Sequence, residues 1–280
     1  MFKSIDGSIT NQPIRVQTKD EYALKETGSR TSGGHAPTWY FRILPFIEQE
    51  PLWSQFVTAW GTTKWYDAFP NMDTATVQKT PIAIFRCPSF PLGNLLLGSD
   101  PPNQYNRQYG CYVVNLGPTN YSQQDYAAHF PADQGWWRPA GQPFALDGLD
   151  ISFASVADGL SNTLFMTEIT PPLANLGATS YGDIQLLWGG GITTQLMPNN
   201  IAAPDSLSLL WDPGTVGRDG KATASSCSWA VASVAARSFH SGGVNVGLGD
   251  GSIRFVPDTV SAQTWGCMGN GGDGLAVSLP

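Results

Sequence analysis

Residues 237–256, RSFHSGGVNVGLGDGSIRFV, decide the fold class of this chain. Apolar side chains alternate with small or polar ones on both sides of Gly249-Asp250-Gly251, as in strands that bury one face. The two glycines suit the positive backbone φ of a tight hairpin turn. The segment therefore predicts a β-hairpin. Its alternating apolar residues are Val244, Val246 and Leu248 before the turn and Ile253 and Phe255 after it.

Other strands and helices are predicted on either side of this hairpin. Short strands are expected at 81–88, bounded by two prolines, at 111–115 and at 162–169. Apolar residues at helical spacing predict a helix from Trp39, interrupted at Pro45, and a second helix from Pro51. A short helix capped by Asp258 is expected to run through Trp265.

These elements predict an α+β fold, in which short N-terminal helices pack on a twisted antiparallel sheet with long loop insertions. Residues 1–37 are polar and predict an extended N-terminal arm. Residues 38–280 predict a single head domain, with insertions near 119–149 and 170–226, where turn residues dominate.

The composition excludes several classes of function. Charged residues make up only 13% of the chain and the net charge is −7, so clustered Lys and Arg for nucleic acid or anionic lipid are missing. The chain has no continuous apolar run of the length needed to span a bilayer. The first twenty residues contain no apolar core of a signal peptide.

The four cysteines, an even number, fit two disulfides in an oxidising compartment. Proximity in the sequence favours Cys87–Cys111 and Cys227–Cys267, and the alternative is four buried reduced thiols. A zinc site is not expected, because no two cysteines have the spacing of a ligand pair and histidine is scarce.

Five stretches in a fixed order resemble one known family: WYFRILPFIEQEPL (39–52), FRCPS (85–89), YVVNLG (112–117), VADGLSNTLFMTE (156–168) and the closing hairpin with its preceding loop (237–256). The last stretch contains His240, nine residues, and then Asp250-Gly251. Together they resemble the planctomycete-type prepilin-processing-associated family, which is also classed as a domain of unknown function and a solute-binding family.

The resemblance implies a pseudopilin-like head in an extracytoplasmic location, either the periplasm or the cell surface. Members of that family begin with a prepilin leader and a long apolar helix, which are not found ahead of Thr38. We therefore expect membrane contact only through an anchor that this sequence does not carry. The even cysteine count agrees with the expected location.

Structural roles are expected for the polar residues of these stretches. His240 is predicted to tie the 237–243 loop to the hairpin through backbone hydrogen bonds, with metal ligation or base catalysis beside Ser241 as alternatives. Asp250 is predicted to accept hydrogen bonds within its own turn. The motifs of metalloproteases, serine hydrolases and phosphate-binding loops are absent from the sequence, so no enzymatic activity is expected. The remaining predicted structural residues are Asp158, Gly159, Asn162, Glu168 and Gly251.

Two kinds of ligand are considered. Calcium is the expected ion if one is bound, with Asp250, Asp258 and Asp273 as candidate oxygen ligands. Aromatic residues in predicted loops are candidates for an interface or for stacking on a sugar. These loop aromatics are Trp136, Trp137, Trp188 and Trp211, whereas Trp39, Trp53 and Trp265 are predicted in the core.

The sequence thus predicts a non-catalytic structural or interaction subunit of an extracytoplasmic assembly. The expected partners are other protein subunits, in a homo-oligomer or a larger complex, because interface cores are poor in charge and rich in Trp and Tyr. The alternative is a module that binds a carbohydrate or another small solute through the loop aromatics.

Overall fold

The computed structural model describes residues 2–3, 9–10, 39–55, 80–91, 110–119, 142–144, 152–171, 191–201, 206–208, 225–227 and 233–275. Most of the predicted arm and of the two predicted insertions lies outside these residues. Two short strands, β1 (Phe2–Lys3) and β2 (Ile9–Thr10), pair antiparallel within the segment predicted as the arm.

A five-stranded mixed sheet forms the centre of the described structure, as expected for an α+β fold. Its strands are β3 (Tyr112–Asn115), β4 (Leu164–Glu168), β5 (Gly191–Ile192), β8 (Gly243–Leu248) and β9 (Ile253–Pro257), in the order β5-β3-β4-β8-β9. A separate parallel pair consists of β6 (Ser206–Ser208) and β7 (Ser225–Cys227).

The prediction of an antiparallel sheet is wrong at one edge. Strand β5 pairs with β3 in parallel, through Val114 opposite Gly191 and Asn115 opposite Ile192. This strand lies inside the stretch predicted as the second insertion, so part of that stretch belongs to the sheet. A strand of two residues beside a run of glycines has no alternation for a sequence pattern to detect.

The hairpin of β8 and β9 forms as its alternation predicts, with Val244 opposite Val256 and Gly247 opposite Ile253. The apolar side chains of one face enter the core, where they pack with the C-terminal helix α3 (Ala262–Gly269). Helix α3 is capped by Ser261, whose hydroxyl accepts from the Thr264 amide, and not by Asp258. The core cluster consists of Leu164, Ala236, Val244, Val246, Leu248, Val256, Val260, Trp265 and Met268.

The first N-terminal helix packs against Phe85, which is hydrogen-bonded to the residue before β3. Helix α1 (Trp39–Ile43) is followed by a 3-10 turn at Leu44–Phe46 and by helix α2 at 50–55. The rings of Trp39 and Tyr40 pack on Phe85, at centroid distances of 5.7 and 4.7 Å. The carbonyl oxygen of Phe85 accepts a hydrogen bond from the backbone amide of Cys111, the residue before β3.

The prediction of a strand at 81–88 is wrong. A 3-10 turn occupies Ala83–Phe85, with hydrogen bonds from the Phe85 amide to the Ile82 carbonyl and from the Arg86 amide to the Ala83 carbonyl. The prolines at 81 and 88 remove two backbone donors that a strand would need for pairing. The turn leads directly to Cys87.

Close approach of the two hairpin strands requires glycine at position 243. A Cβ atom there would overlap the carbonyl oxygen of Val256, which belongs to the facing backbone. We expect Gly243→Ala to lower the free energy of unfolding by about 1–3 kcal/mol, because the strands must move apart. Urea denaturation followed by circular dichroism measures the loss.

Gly266 supplies the matched control, since it lies within α3 and a Cβ atom there would meet nothing within 4 Å. Gly266→Ala is expected to raise the free energy of unfolding by about 0.5–1 kcal/mol, because alanine loses less backbone entropy in a helix. Equal effects of the two substitutions would contradict the packing described for β8 and β9.

Candidate functional site

Three segments that are distant in the sequence bring Cys87, Glu168 and His240 together. Cys87 follows the 3-10 turn, Glu168 ends β4, and His240 lies in the loop before β8. The His240 Nε2 atom is 3.0 Å from Glu168 Oε1 and 3.5 Å from Cys87 Sγ. All three side-chain atoms lie within 4.8 Å of one another, and no other group of three His, Cys, Asp or Glu ligands is found among the described residues.

The sheet fixes the position of the Glu168 carboxylate. Only 2% of Glu168 is exposed, and its Oε2 accepts the backbone amide of Asn245 at 2.7 Å. The Asn245 side-chain amide donates to Oε1 at 3.3 Å. A buried carboxylate requires such donors, because burial without them is costly. Asn245 on β8 therefore contacts both carboxylate oxygens, and Oε1 also faces His240.

The loop that carries His240 is held by Ser238. The Ser238 hydroxyl donates to the Gly243 carbonyl at 2.6 Å and accepts the His240 amide at 3.1 Å. The Ser238 amide donates to the Asn199 side-chain oxygen at 2.9 Å. Ser238 thus makes the link to the hairpin that was predicted for the imidazole of His240, and the imidazole contacts side chains instead.

The predicted Cys87–Cys111 disulfide is absent from the structure, in which Cys87, Cys111 and Cys267 are free and buried. The side chain of Cys227 lies outside the described residues. Burial raises the pKa of the Cys111 thiol from 9.0 to about 11. Burial also raises the pKa of the Cys87 thiol, with a further increase from the nearby Glu168 charge. Both thiols are therefore protonated at neutral pH.

The geometry of the cluster differs from that of a catalytic cysteine–histidine pair. Such a pair uses one ring nitrogen for the nucleophile and the other for the orienting acid. Here the same nitrogen, Nε2, faces both Cys87 and Glu168. The recess between Cys87, Glu168 and Phe239 has no space for a water-sized sphere. The three side-chain atoms therefore converge on one small space between the three segments.

The other predicted site residues stabilise turns. Asp250 accepts the Ser252 amide at 2.9 Å and the Ser252 hydroxyl at 2.7 Å. Asp158 accepts the amides of Asp273 and Gly274, both at 2.8 Å. The Asn162 side chain donates to the Asp158 carbonyl at 2.8 Å. Positive φ values of 93° at Gly159 and 85° at Gly251 match these turns.

The three calcium candidates have separate partners. Asp258 accepts the side-chain amide of Asn199 at 2.7 Å, Asp273 accepts the amide of Leu275 at 2.8 Å, and Asp250 is bonded within its own turn. The structure does not bring Asp250, Asp258 and Asp273 together as one ligand group among the described residues. The four loop tryptophans, Trp136, Trp137, Trp188 and Trp211, lie outside these residues. Trp39, Trp53 and Trp265 are buried.

The sequence profile of a protein family of unknown function, DUF1559 (SBP_bac_10), matches residues 17–263. The chain belongs to the DUF1559 family. The DUF1559 match includes all three residues of the cluster and both strands of the hairpin. Neither the curated proteins nor the solved structures compared with the chain gave a match. Among the described residues, no helix of this DUF1559 member is long and apolar enough to cross a membrane.

Proposed function

We propose that the protein is a non-catalytic structural subunit of an extracytoplasmic assembly, in which β9 forms a contact with a second copy of the chain. The observation that carries the proposal is the exposure of Ile253 and Phe255 on this strand. Ile253 is 66% exposed and Phe255 is 51% exposed. Exposed apolar side chains on an edge strand favour association.

The register of the hairpin places both exposed residues on one face. Ile253 lies opposite Gly247 and Phe255 lies opposite Asn245, so both point away from the face where Val244 and Val256 enter the core. Strand β9 ends the five-strand order, so within the described residues one of its edges has no neighbouring strand. Two copies of an edge strand that pair antiparallel satisfy the free backbone groups of both.

The assembly and its location are supported by the resemblance described above and by sparse charge. The resemblance to prepilin-processing-associated proteins supports a pseudopilin-like role outside the cytoplasm. The even cysteine count does not support that location, because Cys87, Cys111 and Cys267 form no disulfide. The proposed location is based on the resemblance. Only 13% of the residues are charged, which favours a protein whose surface is covered by other subunits, because the cores of interfaces are poor in charge.

Sedimentation velocity of the whole chain tests the proposal. We expect species heavier than the 30.1 kDa monomer at tens of micromolar protein. The double variant Ile253→Thr/Phe255→Thr keeps strand propensity but loses the apolar surface, and it is expected to raise the dissociation constant at least about tenfold.

Ile201→Thr is the matched control, because Ile201 is 81% exposed but does not belong to the sheet. It should leave self-association unchanged. A wild-type chain that stays monomeric over the whole concentration range contradicts the proposal, as does a double variant that associates like the wild type.

Solute binding is the alternative, and the SBP_bac_10 label of the family supports it. A calorimetric screen of the monomeric double variant against oligosaccharides separates the two functions. The structural proposal predicts no heat of binding. Micromolar affinity for one sugar would favour the alternative.

A further inference from the structure

We infer that Cys87, Glu168 and His240 form a binding site for a single zinc-class divalent ion, which goes beyond the proposed structural function. A thiolate, an imidazole and a carboxylate are the donor types that zinc takes in proteins, whereas calcium and magnesium take oxygen donors. The three donor atoms lie within 4.8 Å of one another.

The separations of the donor atoms fit tetrahedral coordination. Zinc lies about 2.0–2.3 Å from N, O and S donors, which places the donors about 3.3–3.7 Å apart in a tetrahedron. The observed separations are 3.0 Å from Nε2 to Oε1 and 3.5 Å from Nε2 to Sγ. Both separations from Nε2 therefore lie within a few tenths of an ångström of those values, and the sulfur and the carboxylate oxygen are within 4.8 Å of each other.

The charges of the ligands balance those of the ion. Cys87 loses its thiol proton to solvent when a bond forms between its sulfur and the metal, and the imidazole keeps its proton on Nδ1 while the Nε2 lone pair binds the metal. One thiolate and one carboxylate then neutralise the two positive charges. An ion and ligands with no net charge fit this site because Glu168 is only 2% exposed and burying a net charge is costly.

The residues around the ligands hold them in place. The Asn245 backbone amide holds Glu168 Oε2 at 2.7 Å, and its side-chain amide makes a longer contact of 3.3 Å with Oε1, the oxygen that would bind the ion. Ser238 holds the backbone of the His240 loop against the hairpin. Such outer contacts orient metal ligands and raise affinity. The side chain of His240 is 28% exposed, so the cluster is accessible to solvent from the His240 side.

An ion at this place joins parts of the chain that are far apart in the sequence. Cys87 and His240 are 153 residues apart, and Glu168 and His240 are 72 residues apart. An ion that binds the folded chain but not the unfolded chain raises the free energy of unfolding. The increase grows with the logarithm of the ion concentration once this exceeds the dissociation constant. Zinc at 100 times its dissociation constant is therefore expected to raise the Tm by about 5–10 °C.

Cobalt(II) titration of the reduced, chelator-treated chain tests the site. We expect one cobalt ion per chain, with a thiolate-to-cobalt charge-transfer band and the intense visible bands of tetrahedral cobalt. Zinc should displace the cobalt and abolish these bands. Cys87→Ser and His240→Ala should each weaken zinc affinity by more than about 100-fold, measured by chelator competition.

Cys267→Ser is the matched control, because it removes another buried thiol that does not belong to the cluster. It should keep the charge-transfer band of the wild type. Near-UV circular dichroism establishes that each variant is folded before titration. The site is disproved if the folded, reduced wild type gives no charge-transfer band at equimolar cobalt, or if the band remains in Cys87→Ser.

Discussion

Replacing Trp265 with alanine is expected to lower the free energy of unfolding by about 3–5 kcal/mol. Trp265 is 0% exposed and packs in the core cluster between α3 and the sheet. Its indole Nε1 also donates to the carbonyl of Leu196 at 2.8 Å. Removing the ring leaves a large cavity and an unpaired carbonyl at the same place. Urea denaturation measures the loss, provided that the variant and the wild type have the same m-value.

Trp265→Phe separates the packing contribution from the hydrogen bond. Phenylalanine keeps most of the apolar volume but has no donor, so a smaller loss of about 1–2 kcal/mol is expected. A loss below about 1 kcal/mol for Trp265→Ala would mean that α3 does not close the core as described.

Replacing Glu168 with alanine has the second-largest expected effect, a loss of about 2–4 kcal/mol in the chelator-treated protein. The substitution leaves the Asn245 amide without its acceptor and removes the partner of His240 Nε2. The chelator ensures that the measurement reports these hydrogen bonds and not ion binding. Thermal and urea denaturation should agree on the direction of the change.

Glu168→Gln is the conservative comparison for this site. Glutamine keeps an oxygen that can accept from Asn245, so we expect about 1 kcal/mol of loss. A Glu168→Ala variant as stable as the wild type would show that the contacts of the carboxylate contribute nothing to the fold.

The elements that sequence could predict are those with a regular pattern. Val244, Val246 and Leu248 alternate, and the hairpin formed where they predicted it. The apolar residues of 112–115 and 164–168 likewise marked β3 and β4. Strand β5 could not be predicted, because its two residues are paired by a distant strand and follow a glycine run.

The candidate site could not be predicted from the spacing of residues in the sequence. Glu168 and His240 were predicted as structural residues and Cys87 as half of a disulfide, each for a local reason. Zinc was not expected because no ligand pair occurs within a few residues. The three side chains instead meet because the pairing of β4 with β8 and the turn before Cys87 bring distant segments together. Only tertiary structure contains that information.

Hydrogen–deuterium exchange of the native chain at low and high protein concentration tests the proposed structural function most directly. If β9 is the contact between copies, the amides of residues 253–256 should exchange more slowly as concentration rises, while those of α3 stay unchanged. Identical exchange at 253–256 at low and high protein concentration would contradict a contact through β9.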